Sequence, residues 1–217
     1  MSERPFEVSR LDELETIPGE FEVIPIRHTL GIQAFGVNAY RSPTAGGRVI
    51  EEHDELGSGA GRHEELYVVV SGRARFSLAG EEQDAPAGTL VFVRDPAVRR
   101  GAVAEEPGTT VLVVGGVPGR AFEPSPWESW LAAFPHYERG DYDRAVEIMR
   151  QALHDHPGNS NVLYNLACME SLTGEHEAAL AHLGQAVESD PRTRKWAQSD
   201  ADFEPIRDDP RFPAPES

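Results

Sequence analysis

Two histidines and two glutamates lie close together in this chain: His53, Glu55, His63 and Glu65. On a strand, His53 and Glu55 point to one face, because residues two apart must. Glu65, on the following strand, would face them. His63 sits in the glycine-rich stretch "LGSGAGRHE" and could swing in from that loop. Two imidazoles and two carboxylates suit iron, zinc or manganese. Arg99 argues the other way, since a guanidinium cannot ligate a metal and repels a cation. It can instead pair with Glu65 and Glu55 in charge-assisted hydrogen bonds. We take this ion pair as the expected state of the site and the metal as its alternative. No Ser–His–Asp spacing, phosphate loop or CxxC pair is present, so no catalytic residue is assigned.

These residues need strands to hold them. Up to about residue 120 the chain consists of short segments rich in Val, Ile, Phe and Tyr, separated by Gly and Pro turns. Examples are "GIQAFGVNAY", "GRVIEEH", "ELYVVV", "ARFSLAG", "TLVFVRD" and "TTVLVVGG". This spacing predicts an all-β sandwich or barrel over 25–118. An arm over 1–24 precedes it, with a short helix "RLDELE" capped by Ser9. A proline-rich linker follows over 119–125.

The motifs in this half resemble those of the cupin family. Gly47 is followed by five residues and His53, and Glu65 by six residues and Gly72. A second motif begins at Gly88 in "GTLVFVRDPAVRR", with Arg99 where the family carries its third histidine. Glu55 stands where the second histidine belongs. The resemblance implies a double-sheet barrel whose usual metal site is altered at two of four ligands. A metal-dependent dioxygenase or isomerase using His53, Glu55, His63 and Glu65 is the alternative function it implies.

After the linker the period becomes helical and a repeat appears. Gly140 and Gly174, Ala145 and Ala179, Ala152 and Ala186, and Pro157 and Pro191 pair at one common offset. Glycine fits a tight turn, alanine allows close helix approach, and proline ends a helix. The pattern resembles the tetratricopeptide repeat, with units at 126–159 and 160–193 and a capping helix and tail to 212. In that family the first helix of each pair lines a peptide-holding groove. Here those helices carry Trp127, Trp130, Phe134 and Tyr137 on one face, and Asn165 at the position that contacts ligand backbone in peptide-binding members. The stripe also reads as core. Lysines and arginines that would clamp an acidic tail are missing around Asn165, so a basic or apolar segment is the expected ligand. His176 and His182 read as surface, and Cys168 as a packed small residue.

Charge narrows the partners. Basic residues number 12 against 20 acidic in residues 1–124, and 8 against 17 in residues 125–217, for a net charge of −17. Such a field repels nucleic acid. The apolar runs are too short to cross a bilayer, and the first ten residues lack the pattern of a secretory signal, so a cytoplasmic location is expected. The fold class is α+β: an N-terminal all-β cupin double-sheet barrel, then a C-terminal α-helical tetratricopeptide array. The expected function is a non-catalytic binding or adaptor protein without a cofactor. Its helical half would dock a protein or peptide, and its barrel a small ligand or a second copy.

Overall fold

The structure, a computed structural model, describes residues 8–57 and 59–215. The chain divides into two compact units, Met1–Glu123 and Pro124–Ser217.

Among the described residues the first unit holds nine strands: β1 (Glu22–Ile24), β2 (Gly36–Ser42), β3 (Arg48–His53), β4 (Glu64–Ser71), β5 (Arg73–Leu78), β6 (Glu81–Pro86), β7 (Leu90–Val93), β8 (Arg100–Ala104) and β9 (Thr109–Gly116). They form two antiparallel sheets, β1-β2-β9-β4-β7 and β3-β8-β5-β6. Alternation decides which residues face between the sheets. Tyr67 and Val69 of β4, Val111 and Val113 of β9, and Val91 and Val93 of β7 meet Val49, Ala74, Phe76 and Ala102 of the second sheet in one core. The opposite phase of β5 carries Arg73, half-buried and paired with Asp84, and Arg75, exposed and paired with Glu105.

The outer face of the five-stranded sheet is partly covered by the N-terminal region. Leu11, Leu14, Leu30 and Ile32 pack with Ile24, Ile26, Val37 and Ala39. The helix expected over "RLDELE" is a turn instead, in which Arg10 bonds both oxygens of Asp12. Packing of Leu11 and Leu14 against the sheet sets the path of this segment instead. The short helix of this region is α1 (Ile26–Leu30). Residues 1–7 of the expected arm lie outside the described residues.

The second unit is helical: α2 (Glu128–Glu138), α3 (Tyr142–Asp155), α4 (Ser160–Leu172), α5 (His176–Ser189), α6 (Arg192–Ser199) and a 3₁₀ turn at Ala201–Ile206. Gly140 and Gly174, at φ of 74° and 82°, turn the chain between the helices of each pair. Only glycine adopts that backbone freely. Ala145, Ala152, Ala179 and Ala186 are all buried, where a larger side chain would force the helices apart. Asn159 caps α4, its Oδ1 accepting from the amides of Asn161 and Val162. Among the described residues no helix is long and apolar enough to cross a membrane.

Candidate functional site

The polar centre of the double-sheet unit gathers on the inner phase of β3, β4 and β8. Glu65 and Tyr67 lie two apart on β4, and Arg100, the first residue of β8, stands in register with His53, the last of β3. Arg100 is fully buried. Its Nη2 donates to Glu65 Oε2 at 2.5 Å, and its Nε to the same oxygen at 3.1 Å and to Tyr67 Oη at 3.2 Å. Its Nη1 donates to the carbonyls of Pro96 and Val98. Tyr67 donates to Glu65 Oε2 at 2.5 Å. Every guanidinium nitrogen is therefore bonded to an oxygen of the chain, as a buried arginine requires.

The expected pair was Arg99 with Glu65 and Glu55, and the structure places it one residue on. Arg99 lies on the outer phase, exposed, and its Nε donates to Glu52 at 2.7 Å. Side chains alternate along a strand, so adjacent arginines take opposite faces. The register of β3 against β8 also shifts between Ile50 and His53, an irregularity that residue counting does not see.

His53 Nδ1 is 2.7 Å from the carbonyl of Glu51, which leaves Nε2 facing Glu65 and Glu55 at 3.8 and 3.9 Å. Glu55 is buried. Its Oε2 accepts from the amides of Gly61 and His63 and so ties down the glycine-rich loop. His63 is buried as well, but its ring packs on Phe122 at 5.4 Å. The two histidines do not converge: His63 forms part of a wall and the loop's anchor, while His53 faces the carboxylates. Phe122, from the segment read as linker, also lies under the Arg27 guanidinium. Two glycines paired across β2 and β9 make room for this wall. A Cβ on Gly36 would stand 2.9 Å from Phe122, and one on Gly115 3.2 Å from Cγ of Glu65.

Burial alone would raise the pKa of Glu65, yet His53, Tyr67 and Arg100 together lower it from 4.5 to about 2. Burial likewise opposes the charged form of His53, but Glu65 and the Glu51 carbonyl outweigh it and raise its pKa. A depressed carboxylate contributes stability above its unfolded pKa and loses it as pH falls toward the folded one. Acidification from about pH 4.5 to pH 2 should therefore cost about 3 kcal/mol at this position. Comparing acid unfolding of the wild-type chain with Glu65→Gln checks this. The extra acid sensitivity should vanish in the variant, and identical profiles would refute the assignment.

His53, Glu55 and Glu65 each offer a ligand atom within 4.8 Å of the others. A cation bound to them would lie beside the guanidinium, whose Nη2 is 2.5 Å from Glu65 and 3.9 Å from Glu55. With Arg100 so placed, the residues do not fit a divalent metal.

In the helical unit, Trp130 and Tyr137 pack against the core formed by Ala133, Val146, Met149 and Leu166. Phe134 stacks on Tyr137 at a ring separation of 6.3 Å and meets Trp130 at a tilt at 5.4 Å. Trp127 precedes α2 and is half-buried, as is Asn165 on α4. His182 is not the surface residue expected: its Nδ1 lies 2.7 Å from Oε2 of Glu170, a fully buried carboxylate that also accepts from Arg150. A glutamate in the last turn of an otherwise apolar helix was the signal for it in the sequence.

The tetratricopeptide repeat family matches residues 136–199. No curated protein matches the chain. Among solved structures, it is similar to a cupin protein from Bacteroides fragilis, at 17% identity and a TM-score of 0.42, over 56% of this chain and 92% of that one. It is similar also to KdgF from a Halomonas species, at 20% identity and 0.40, over 48% and 88%. A third is a predicted oxalate decarboxylase from Thermotoga maritima, at 19% and 0.40, over 50% and 97%. The chain thus joins a unit of two antiparallel sheets, similar to these cupin structures, to a helical unit that matches the tetratricopeptide repeat family over residues 136–199.

Proposed function

We propose that the chain is a non-catalytic binding protein, in which the helical unit docks a protein partner and the double-sheet unit holds a small organic ligand without a metal cofactor. The position of Arg100 carries this reading: its guanidinium supplies the positive charge that the two glutamates call for. Asn38 supports the ligand. Its Oδ1 is buried with no hydrogen-bond partner among the described residues, on the inner phase of β2 and in the row that runs through Val113 to Tyr67. A buried acceptor left open is an exception that asks for a partner.

A metal-dependent enzyme is the second reading, favoured by the convergence of His53, Glu55 and Glu65. Elemental analysis of protein purified without chelator separates the two. We expect less than about a tenth of an equivalent of transition metal, and no thermal shift on adding iron, zinc or manganese. One equivalent of metal that disappears in His53→Ala would overturn the proposal. For the helical unit, capture by the full chain should yield a defined partner or a second copy; neither would sink that half.

A further inference from the structure

The face of α4, the first helix of the second pair, which packs on α5 and is bordered by Tyr137 of α2, is occupied by the chain's own tail. The tail does not simply continue α6: at Asp200 the helix breaks, and Ala201–Ile206 crosses as a 3₁₀ turn. Tyr137 of α2 donates to both carboxylate oxygens of Asp202 at 3.0 Å. Tyr164 of α4 donates to Asp200 at 2.8 Å, and Ser171 to the carbonyl of Asp202 at 2.7 Å. Between the two aspartates' contacts, Phe203 is fully buried, edge-on to Tyr164 at 5.4 Å. Ile206 is buried in the same cluster.

The structure assigns residues 200–206 as an intramolecular occupant of this face, and the partner of the helical unit as a protein segment that presents an aromatic side chain flanked by carboxylates. This deepens the adaptor reading and rests on it. It also replaces the basic or apolar ligand expected from the missing lysines. The seated segment is acidic, and tyrosine hydroxyls rather than cations receive its carboxylates. Two features make the occupant exchangeable. It is a six-residue 3₁₀ segment held to α2 and α4 by side-chain hydrogen bonds and two apolar anchors, with Arg207 donating to carbonyls at the end of α6. Its aspartates also lie close together, within 4.8 Å through Cys168, so like charges oppose its seating.

The test uses the full chain and a fluorescent peptide, SDADFEPIRD, copied from residues 199–208. In the wild-type chain the tethered copy competes at an effective concentration of about millimolar. Phe203→Ala, and separately Ile206→Ala, should release it and tighten peptide binding about tenfold or more. The peptide with alanine for its phenylalanine should not bind. Hydrogen exchange on the wild-type chain gives a readout independent of any variant: amides of residues 200–207 should open while α4 stays protected. The inference falls if neither released chain binds the peptide. It falls equally if those amides exchange only with the whole unit, which would make the segment a fixed part of the fold. A captured partner that the peptide does not displace removes this inference and leaves the adaptor role. Peptide binding without any captured partner removes the adaptor role.

Discussion

Glu65→Ala lowers the melting temperature of the chain by about 10 °C or more, from a loss of about 3–5 kcal/mol. The reason lies in what remains. Arg100 has no solvent exposure, and without Glu65 its Nε and Nη2 lose their main acceptor. Tyr67 loses the acceptor of its hydroxyl at the same time. A buried charge stripped of its partner cannot recover the cost in water, because water does not reach it. Glu65→Leu combined with Arg100→Met should be less damaging than Glu65→Ala alone, since it removes both charges together. Thermal unfolding of the three proteins decides. A double variant weaker than the single, or a single variant within about 1 kcal/mol of wild type, would show that the pair does not govern this core.

In the helical unit the corresponding prediction concerns Arg150→Ala. Glu170 is fully buried and holds Arg150 at 3.0 Å and His182 at 2.7 Å. Arg150 also reaches Glu175 at 2.6 Å, so its loss undoes two contacts. Because Arg150 is half-exposed, part of its attraction is screened, and we expect about 2–3 kcal/mol rather than the full cost of orphaning a charge. Adding Glu170→Gln to Arg150→Ala should restore part of the loss by making the buried group neutral. Urea unfolding of the single and double variants measures the coupling. Strict additivity would mean that Arg150 and Glu170 do not act as a unit.

Much of the architecture is legible from spacing. Four matched positions at one offset announce the helical pairs, and alternating valines announce the strands. The site is legible only in part. Counting from Gly88 lands on Arg99, whereas the inner phase of β8 is Arg100, Ala102 and Ala104. The two small alanines carried the parity signal, since they mark the phase that packs against the five-stranded sheet. His63 reads as a ligand by its type and its distance from Glu65, but a loop residue's direction depends on its backbone bonds. Here the His63 and Gly61 amides turn to Glu55, and the ring turns to Phe122. The occupant of the helical face could not be read from residue types, because tyrosines do not announce a carboxylate as lysines would.

The adjacent arginines have a consequence for how the strand finds its place. Slide β8 by one residue and Arg99 would enter the interior with the same charge that Arg100 brings. Ion pairing with Glu65 is therefore a poor arbiter of alignment. What distinguishes the two alignments is bulk: the slipped strand would press Val103 into space now taken by alanine, and would turn Ala102 and Ala104 out to the surface. The strand's frame is enforced by methyl groups, and the charge follows.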